Sequence, residues 1–316
     1  MAFLGVAEVV PTLLDMKEWD ANAYDCVGMT ALMRAALRGH EEVVKIFLGL
    51  EDINPNQADT NYGRTPLSWA AKKAHEGIVK ILLERKDIDP NQADTKYGRT
   101  PLLWAAALGY EGIVKMLLER EGVDPNQADT KYGWPLLLWA VSSRREGIVK
   151  MLLKRADIDP NKASAKSSMT PLWRAIRNRL EGMVKMLLER EDVNPNQVDT
   201  ISGQTPLSWV AGSGHEGIVK MLLERSDVNP NQADIRSRRT PLLWAVEIGH
   251  EGIVKMPLKR EDVNPHLPKD AYYHRAPVGG SQRRHERIVK MLVERQNVPT
   301  TMPDNANQTP LLPAFF

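Results

Sequence analysis

The sequence has a single cysteine, Cys26, in 316 residues. An intramolecular disulfide framework is therefore excluded, and the composition suits a reducing compartment. No stretch approaches the run of roughly 18 apolar residues that a membrane-spanning helix needs. An excess of one charge is missing too, since 42 Lys and Arg against 40 Asp and Glu leave a formal net charge of +2. That balance gives no global electrostatic case for nucleic acid or a membrane surface. There is no Gly-rich phosphate loop, no nucleophile elbow and no paired-His metalloprotease helix, and Cys26 has no nearby His in sequence. No enzyme activity, metal or cofactor is expected. The apolar start "MAFLGVAEVVPTLL" lacks a basic segment and contains Glu8, so it reads as part of the fold rather than a signal peptide. A soluble, monomeric, cytoplasmic protein is expected, with the nucleus as the alternative location.

What is present is repetition. The Thr of "TAL" or "TPL" recurs at Thr30, Thr65, Thr100, Thr170, Thr205 and Thr240, a period of 35 residues or its double. At position 135 the sequence reads "GWPLLLWA" and keeps phase at Trp139. A second motif runs in the same phase, from "EEVVKIFL" at Glu41 through "EGIVKILL" at Glu76 to "ERIVKMLV" at Glu286. Length alone suggests two domains, but a repeat array overrides that arithmetic.

Each unit predicts a helix–loop–helix. "TPLLWAAALG" opens with Thr100 at an N-cap and Pro at the first helical position, and Gly109 is placed to end the helix in the left-handed region. "EGIVKMLLER" puts Ile113, Val114, Met116, Leu117 and Leu118 on an apolar face, with Lys115 and Glu119 outside it. The link "EGVDPNQADTKYGR" is rich in turn formers with short strand potential. One unit cannot bury its apolar face alone, whereas stacked units can.

With "GRTPLSWAA", "HEGIVKILLE" and "DIDPNQAD" in fixed phase, the chain resembles the ankyrin repeat, whose signature contains T-P-L-H-x-A. The likeness is close to long arrays of filamentous fungi, often attached to nucleotide-binding signalling domains. It implies an all-α ankyrin-repeat solenoid of stacked helix-turn-helix units with finger-like β-turn loops. Two departures stand out. The family unit has about 33 residues, so the extra length falls in the polar links. The family His is replaced by Ser68, Leu103, Leu137 and Ser208, so its backbone hydrogen bonds must be absent or supplied differently.

His40, His75, His215 and His250 share one position before the second helix. Layers roughly 8–10 Å apart keep them from sharing a metal easily, and a structural or capping role is expected. His266, His274 and His285 have no zinc spacing. Trp69, Trp104, Trp139, Trp209 and Trp244 could form a ladder for stacking bases, but the resemblance assigns their position to core packing. Trp134 differs, replacing the last finger-loop residue, and is the better interface candidate. Carboxylates such as Glu84 and Asp87 read as ordinary exposed helix ends.

Solenoids bind through the surface that varies between units while packing positions stay fixed. The varying positions here are loop tips and first-helix ends, which by resemblance line the concave side. The candidate partner-binding set is Tyr62, Arg64, Lys72, Lys73, Lys96, Tyr97, Arg99, Leu108, Lys131, Tyr132, Trp134, Arg177, Arg236, Arg238 and Arg239. It is rich in hot-spot residue types and almost all basic. The expected function is a non-enzymatic interaction module or scaffold that binds an acidic or phosphorylated protein segment. Alternatives are the sensor arm of a larger signalling assembly, or nucleic-acid binding through the basic tips.

Three regions are expected: a half-repeat or cap over 1–29, regular repeats over 30–265, and a degenerate repeat with a truncated one over 266–316. Residues 8–22 align with the second helix of the next unit, with Pro11 opening it. The segment "AYYHRAPVGGSQRR" at 271–284 is unsuited to a regular helix, and "LLPAFF" is an apolar end. The last 50 or so residues are expected to pack loosely or to be covered by a partner. The sequon Asn307–Thr309 would be idle in a reducing compartment. Finally, "HEGIVKMPLKR" carries Pro257 where other copies carry Leu, and it reads as a local weakening rather than a functional kink.

Overall fold

The computed structural model describes residues 20–200 and 202–264, together with Arg287, Ile288, Met291 and Leu292. Among them the helices come in pairs: α1 (Ala31–Arg38) with α2 (Glu41–Leu48), α3 (Pro66–Lys72) with α4 (Glu76–Leu83), α5 (Pro101–Leu108) with α6 (Glu111–Glu119), α7 (Leu136–Ser142) with α8 (Glu146–Leu153), α9 (Pro171–Arg177) with α10 (Glu181–Leu188), α11 (Pro206–Ser213) with α12 (Glu216–Leu223), and α13 (Pro241–Ile248) with α14 (Glu251–Lys255). No strand forms among the described residues, and one isolated antiparallel bridge joins Ala128 to Pro135. The result is an all-α repeat solenoid, as the period predicts. The chain divides into two compact units, Met1–Arg174 and Ala175–Phe316.

Helix boundaries follow from capping chemistry. The Thr30, Thr65, Thr100, Thr205 and Thr240 side chains each accept a backbone N–H three residues on, and Thr170 does the same for Trp173. Such a cap contributes about 1 kcal/mol. Pro135 occupies this position before α7 and offers no side-chain cap. Gly109 ends α5 at φ 90°, as expected. Ser68 and Ser208, which stand where the family has His, receive hydrogen bonds from Thr65 (3.3 Å) and Thr205 (3.0 Å).

Within each unit a first helix packs on the first helix of the next repeat and on its own second helix. Ala70, Ala71, Ala105 and Ala106 are fully buried, which lets the helices approach closely. Ile78, Val79 and Leu82 of α4 are buried on one side while Lys80 remains exposed. Losing a leucine such as Leu82 costs about 2–5 kcal/mol.

The polar links are more than spacers. Asn91 donates from Nδ2 to the Gly122 carbonyl (2.6 Å) and accepts at Oδ1 from the Asp124 N–H (3.1 Å), so one side chain ties two successive links. Asn56, Asn126, Asn196 and Asn231 repeat the arrangement. Arg85 forks onto Asp87 and also donates to the Leu48 carbonyl of the preceding repeat (2.6 Å). Arg155, Arg225 and Arg260 do likewise with Leu118, Leu188 and Leu223. Asp87, expected to be an ordinary exposed carboxylate, is therefore part of an inter-repeat clamp.

Pro257 shortens its helix. α14 stops after five residues, and Pro257–Lys259 forms a 3-10 turn. The Ile253 carbonyl, which a longer helix would pair with residue 257, instead accepts the Met256 N–H at 3.2 Å. The clamp of Arg260 survives, so the defect stays local. The expected features of residues 8–19, 266–285 and 307–316, including Pro11, His266, His274 and His285, lie outside the described residues. So does the packing of the C-terminal segment, apart from Ile288 and Leu292, which are buried.

Candidate functional site

An aspartate builds each finger loop. In the third described repeat the Asp94 N–H reaches the Arg99 carbonyl (2.9 Å), and the Gly98 N–H returns to the Asp94 carbonyl (2.9 Å). Asp94 Oδ1 accepts the Tyr97 N–H (2.6 Å), and Oδ2 accepts Nε1–H of Trp104 (2.8 Å). Gly98 adopts φ +66°, and a Cβ there would lie 2.4 Å from the Thr130 side chain of the next finger. Asp59 and Asp129 hold Trp69 and Trp139 in the same way (3.0 and 3.1 Å). Backbone hydrogen bonds from Thr95 to Tyr62 (2.8 Å) and from Thr130 to Tyr97 (3.0 Å) fix successive fingers in register.

Arg64 is not a solvent-facing tip residue. It is 2 % exposed, and its Nε lies 3.3 Å from Oδ2 of Asp94 in the following repeat. Its guanidinium lies 4.8 Å from the ring centres of both Trp69 and Trp104. Arg99 repeats the arrangement between Trp104 (4.6 Å) and Trp139 (4.0 Å), with Asp129 Oδ2 at 3.7 Å. Guanidinium planes suit this because they stack on rings and stay charged when buried. Burial pulls Arg99 below its ordinary pKa, against the attraction of Asp129 and Asp94. The two arginines counted among the basic tips are thus neutralised by carboxylates beside them.

Trp134 continues the row with the residue types exchanged. Its ring lies 4.7 Å from that of Trp139, and the Arg174 guanidinium sits 4.7 Å over it. Arg174 holds the place of the tryptophan in its repeat, and Ser164 holds the place of the aspartate. Without an indole N–H to bind, the carboxylate is dispensable there. Ser164 Oγ instead donates to the Tyr132 carbonyl (2.9 Å). Trp134 is half-buried and not a free anchor.

Outside this row lies a second one, of tyrosines and lysines. Lys96 Nζ is 5.0 Å from the Tyr62 ring centre and 5.6 Å from that of Tyr97. Lys131 Nζ is 5.1 Å from Tyr97 and 4.9 Å from Tyr132. Tyr62, Tyr97 and Tyr132 each meet their repeat's tryptophan edge-on at 6.2, 5.8 and 5.9 Å. Lys72 stands over Trp69 (5.3 Å) and Trp104 (4.6 Å). Burial lowers its pKa, and the charge of Arg64 adds to the effect. Among the described residues none of Lys72, Lys96 and Lys131 has a carboxylate within ion-pair distance.

Nine of the fifteen candidates therefore converge in the first unit: Tyr62, Arg64, Lys72, Lys96, Tyr97, Arg99, Lys131, Tyr132 and Trp134. Lys73 and Leu108 are exposed and stand apart from the rows. The remaining candidates belong to the second unit. There Arg239 pairs with Glu247 (3.0 Å) and lies 4.8 Å over Trp244, which Asp234 holds at 2.9 Å. Burial opposes the charge of Asp234, but hydrogen bonds from Ser237, Trp244 and the backbone outweigh it and keep the pKa below the usual carboxylate value. Arg236, Arg238 and Arg177 are exposed, and Arg238 takes φ 55° where Gly63, Gly98, Gly133 and Gly203 stand in other fingers and Ser168, at φ 49°, in one.

Sequence reasoning missed Asp59, Asp94, Asp129, Lys166 and Arg174. The signal that could have found the aspartates is an Asp ten residues before each of Trp69, Trp104, Trp139, Trp209 and Trp244. His75 acts structurally, its Nε2 3.1 Å from the Leu37 carbonyl of the preceding repeat. The helix-start positions of His40, His75, His215 and His250 carry no side-chain cap bond. Cys26 is exposed. Among the described residues no three His, Cys, Asp or Glu side chains gather as a metal group, and no helix is long and apolar enough to cross a membrane.

No curated protein matches the sequence. The model of a family described as ankyrin repeats (3 copies) matches residues 1–94, 54–129, 89–164, 128–199 and 172–266. Repeats of this family are in general protein–protein interaction modules without enzymatic activity. Those overlapping matches run through every helix pair and finger described above, and on them the chain belongs to the ankyrin-repeat family.

Proposed function

We propose that the chain is a non-enzymatic protein-interaction scaffold whose first unit binds an acidic protein segment on its lysine–tyrosine face. The observation that carries this is the different treatment of two sets of cations. Arg64 and Arg99 are sandwiched between tryptophans and neutralised by Asp94 and Asp129. Lys72, Lys96 and Lys131 stand on the aromatic faces, and among the described residues none has a carboxylate within ion-pair distance. Charge-assisted contacts to such lysines favour carboxylate or phosphate groups on a partner, and the tyrosines supply rigid contact area.

The test is selection of a random peptide library on the full chain, in parallel with the Lys72→Glu/Lys96→Glu/Lys131→Glu variant. The expected result is enrichment of Asp- and Glu-rich peptides on the natural sequence and their loss on the variant, whose fold is checked by its melting curve. Arginine reversals are unsuitable, because Arg64 is buried and its loss would unsettle the fold itself. Peptides without acidic bias, or equal capture by the variant, would sink the proposal. Tight binding of mixed single-stranded nucleic acid with a steep salt slope would favour the nucleic-acid alternative.

A further inference from the structure

The lysines of the first unit form a ruler as well as a charged patch. Lys96, Lys131 and Lys166 occupy the same finger position in three consecutive repeats, and all are exposed. Each is held by a different device from the usual surface ion pair. Lys96 stands between Tyr62 and Tyr97, and Lys131 between Tyr97 and Tyr132. Lys166 donates from Nζ to the Lys131 carbonyl at 2.5 Å. No carboxylate pairs with any of them among the described residues. Ordering a lysine side chain ordinarily costs up to about 2 kcal/mol of rotamer freedom. Here much of that cost is met before a partner arrives, so the ammonium groups are presented at fixed positions.

Their spacing is set by the repeat. Lys96 and Lys131 lie on the same Tyr97 ring, at 5.6 and 5.1 Å from its centre, and equivalent points of stacked layers recur at about 8–10 Å. The backbone hydrogen bonds between fingers keep that register, and Ala165 N–H continues it onto the Gly133 carbonyl at 3.1 Å.

We infer that the acidic segment bound here is an extended, polyproline-II-like peptide with a carboxylate at every third residue, one for each of Lys96, Lys131 and Lys166. This inference rests on the acidic-partner reading above and specifies its register. A polyproline-II chain has three residues per turn and rises about 3.1 Å per residue. Residues i, i+3 and i+6 therefore share a face at intervals of about 9 Å, which matches the ruler. A β-strand does not match, since its same-face positions recur at about 6.6–6.8 Å. A helix with acids seven residues apart spans about 10.5 Å, but a docked helix needs an apolar groove for its other face. Here the ring faces are already occupied by ammonium groups.

The experiment measures binding of fluorescent, end-blocked peptides to the full chain by anisotropy at fixed low salt. Three proline-based peptides of equal length carry three aspartates each, spaced by two, three or five residues. A fourth, alanine-based and helical, carries them seven apart. The three-residue spacing is expected to bind at least about tenfold tighter than the others, a readily resolved difference. Lys131→Gln, at the middle of the ruler, is expected to abolish that advantage, while Lys80→Gln on an exposed second-helix position leaves it unchanged. Equal affinity for all spacings, with Lys131→Gln weakening them alike, overturns the register and leaves the acidic-partner reading standing. Tighter binding of the helical peptide overturns it in the same way. Failure of every acidic peptide to bind overturns both.

Discussion

The guanidinium of Arg174 lies 4.7 Å over the ring of Trp134, with the two residue types exchanged relative to Arg64 and Trp104. In the earlier fingers a loop arginine inserts between tryptophans of successive first helices, and a buried aspartate answers its charge. Here the loop supplies the ring and the helix supplies the cation. The aspartate's position is taken by Ser164, because no indole N–H requires it. The interface between repeats thus constrains three positions jointly, none of which touches its partners in sequence.

Exchanging the pair should reveal this coupling. Trp134→Arg alone places a second cation against Arg174, and Arg174→Trp alone crowds two indoles together. Each single variant is expected to lose about 1–2 kcal/mol, the size of a desolvated cation–π contact. The double exchange should recover part of that loss, and adding Ser164→Asp should recover more by restoring the buried ion pair. Urea denaturation of the set measures it. Strictly additive losses would show that the three positions are independent.

Glu41 and Gly77 form another joint constraint. A Cβ at Gly77 would lie 1.9 Å from Glu41 Oε1, and Gly112, Gly147 and Gly252 stand in the same relation to Glu76, Glu111 and Glu216. These carboxylates sit over the start of the next second helix, where negative charge is favoured. Gly77→Ala is expected to destabilise the natural sequence by displacing Glu41. In a Glu41→Ala background the same change should stabilise by up to about 1 kcal/mol, because alanine is the better helix former. The sign reversal in thermal melts is the readout.

The period, the helix pairs and their ends were legible in the sequence because they depend on local chemistry: Thr caps, an N1 proline, and apolar residues at helical spacing. The fate of Arg64 was not. Lysine and arginine at a loop tip look equally exposed in sequence, and what buries one and frees the other is a side chain of the next repeat. Asp94 supplies a carboxylate and Trp104 a flat face, and the planar guanidinium of Arg64 meets both at once. The "DPNQ" links read as turn formers, but the double hydrogen bonding of Asn91 depends on strands of chain more than thirty residues away.

Asn91→Ala removes both of those bonds and leaves the Gly122 carbonyl and the Asp124 N–H to solvent. A loss of about 1–2 kcal/mol is expected for two partly exposed bonds. Asn91→Asp keeps the acceptor and removes the donor, so it should fall between the two. Amide hydrogen exchange at Asp124 should accelerate in the alanine variant and remain slow in the aspartate variant.

The forks of arginine onto aspartate two residues on predict an acid dependence. The hydrogen bonds of Arg85, Arg155, Arg190 and Arg225 hold Asp87, Asp157, Asp192 and Asp227 below their usual pKa. A carboxyl whose folded pKa is depressed stabilises the fold fully above its unfolded value, near 3.9. That contribution is lost as pH falls through the lower folded value. The four groups are about half exposed, so each adds little and solvent screening reduces it further. Stability measured from pH 5 downward should therefore decline less steeply in the Asp157→Asn variant than in the natural sequence, with the difference confined to that acidic range.

Pro257 offers a direct comparison with its own homologous position, Leu222, in the preceding repeat. α12 runs for eight residues and buries Leu222, whereas α14 stops at Lys255 and the chain tightens into a 3-10 turn. Pro257 is itself buried, so it fills part of the leucine's space without donating an N–H. Pro257→Leu should let α14 extend, return the Ile253 carbonyl to a partner four residues on, and raise stability by up to about 3 kcal/mol. Far-UV circular dichroism should show added helix, and the melting midpoint should rise. Because Arg260 and Asn231 already tie this repeat to its neighbours, binding of acidic peptides to the first unit should not change. A variant that melted no higher yet lost binding would make the proline a working bend rather than a local defect.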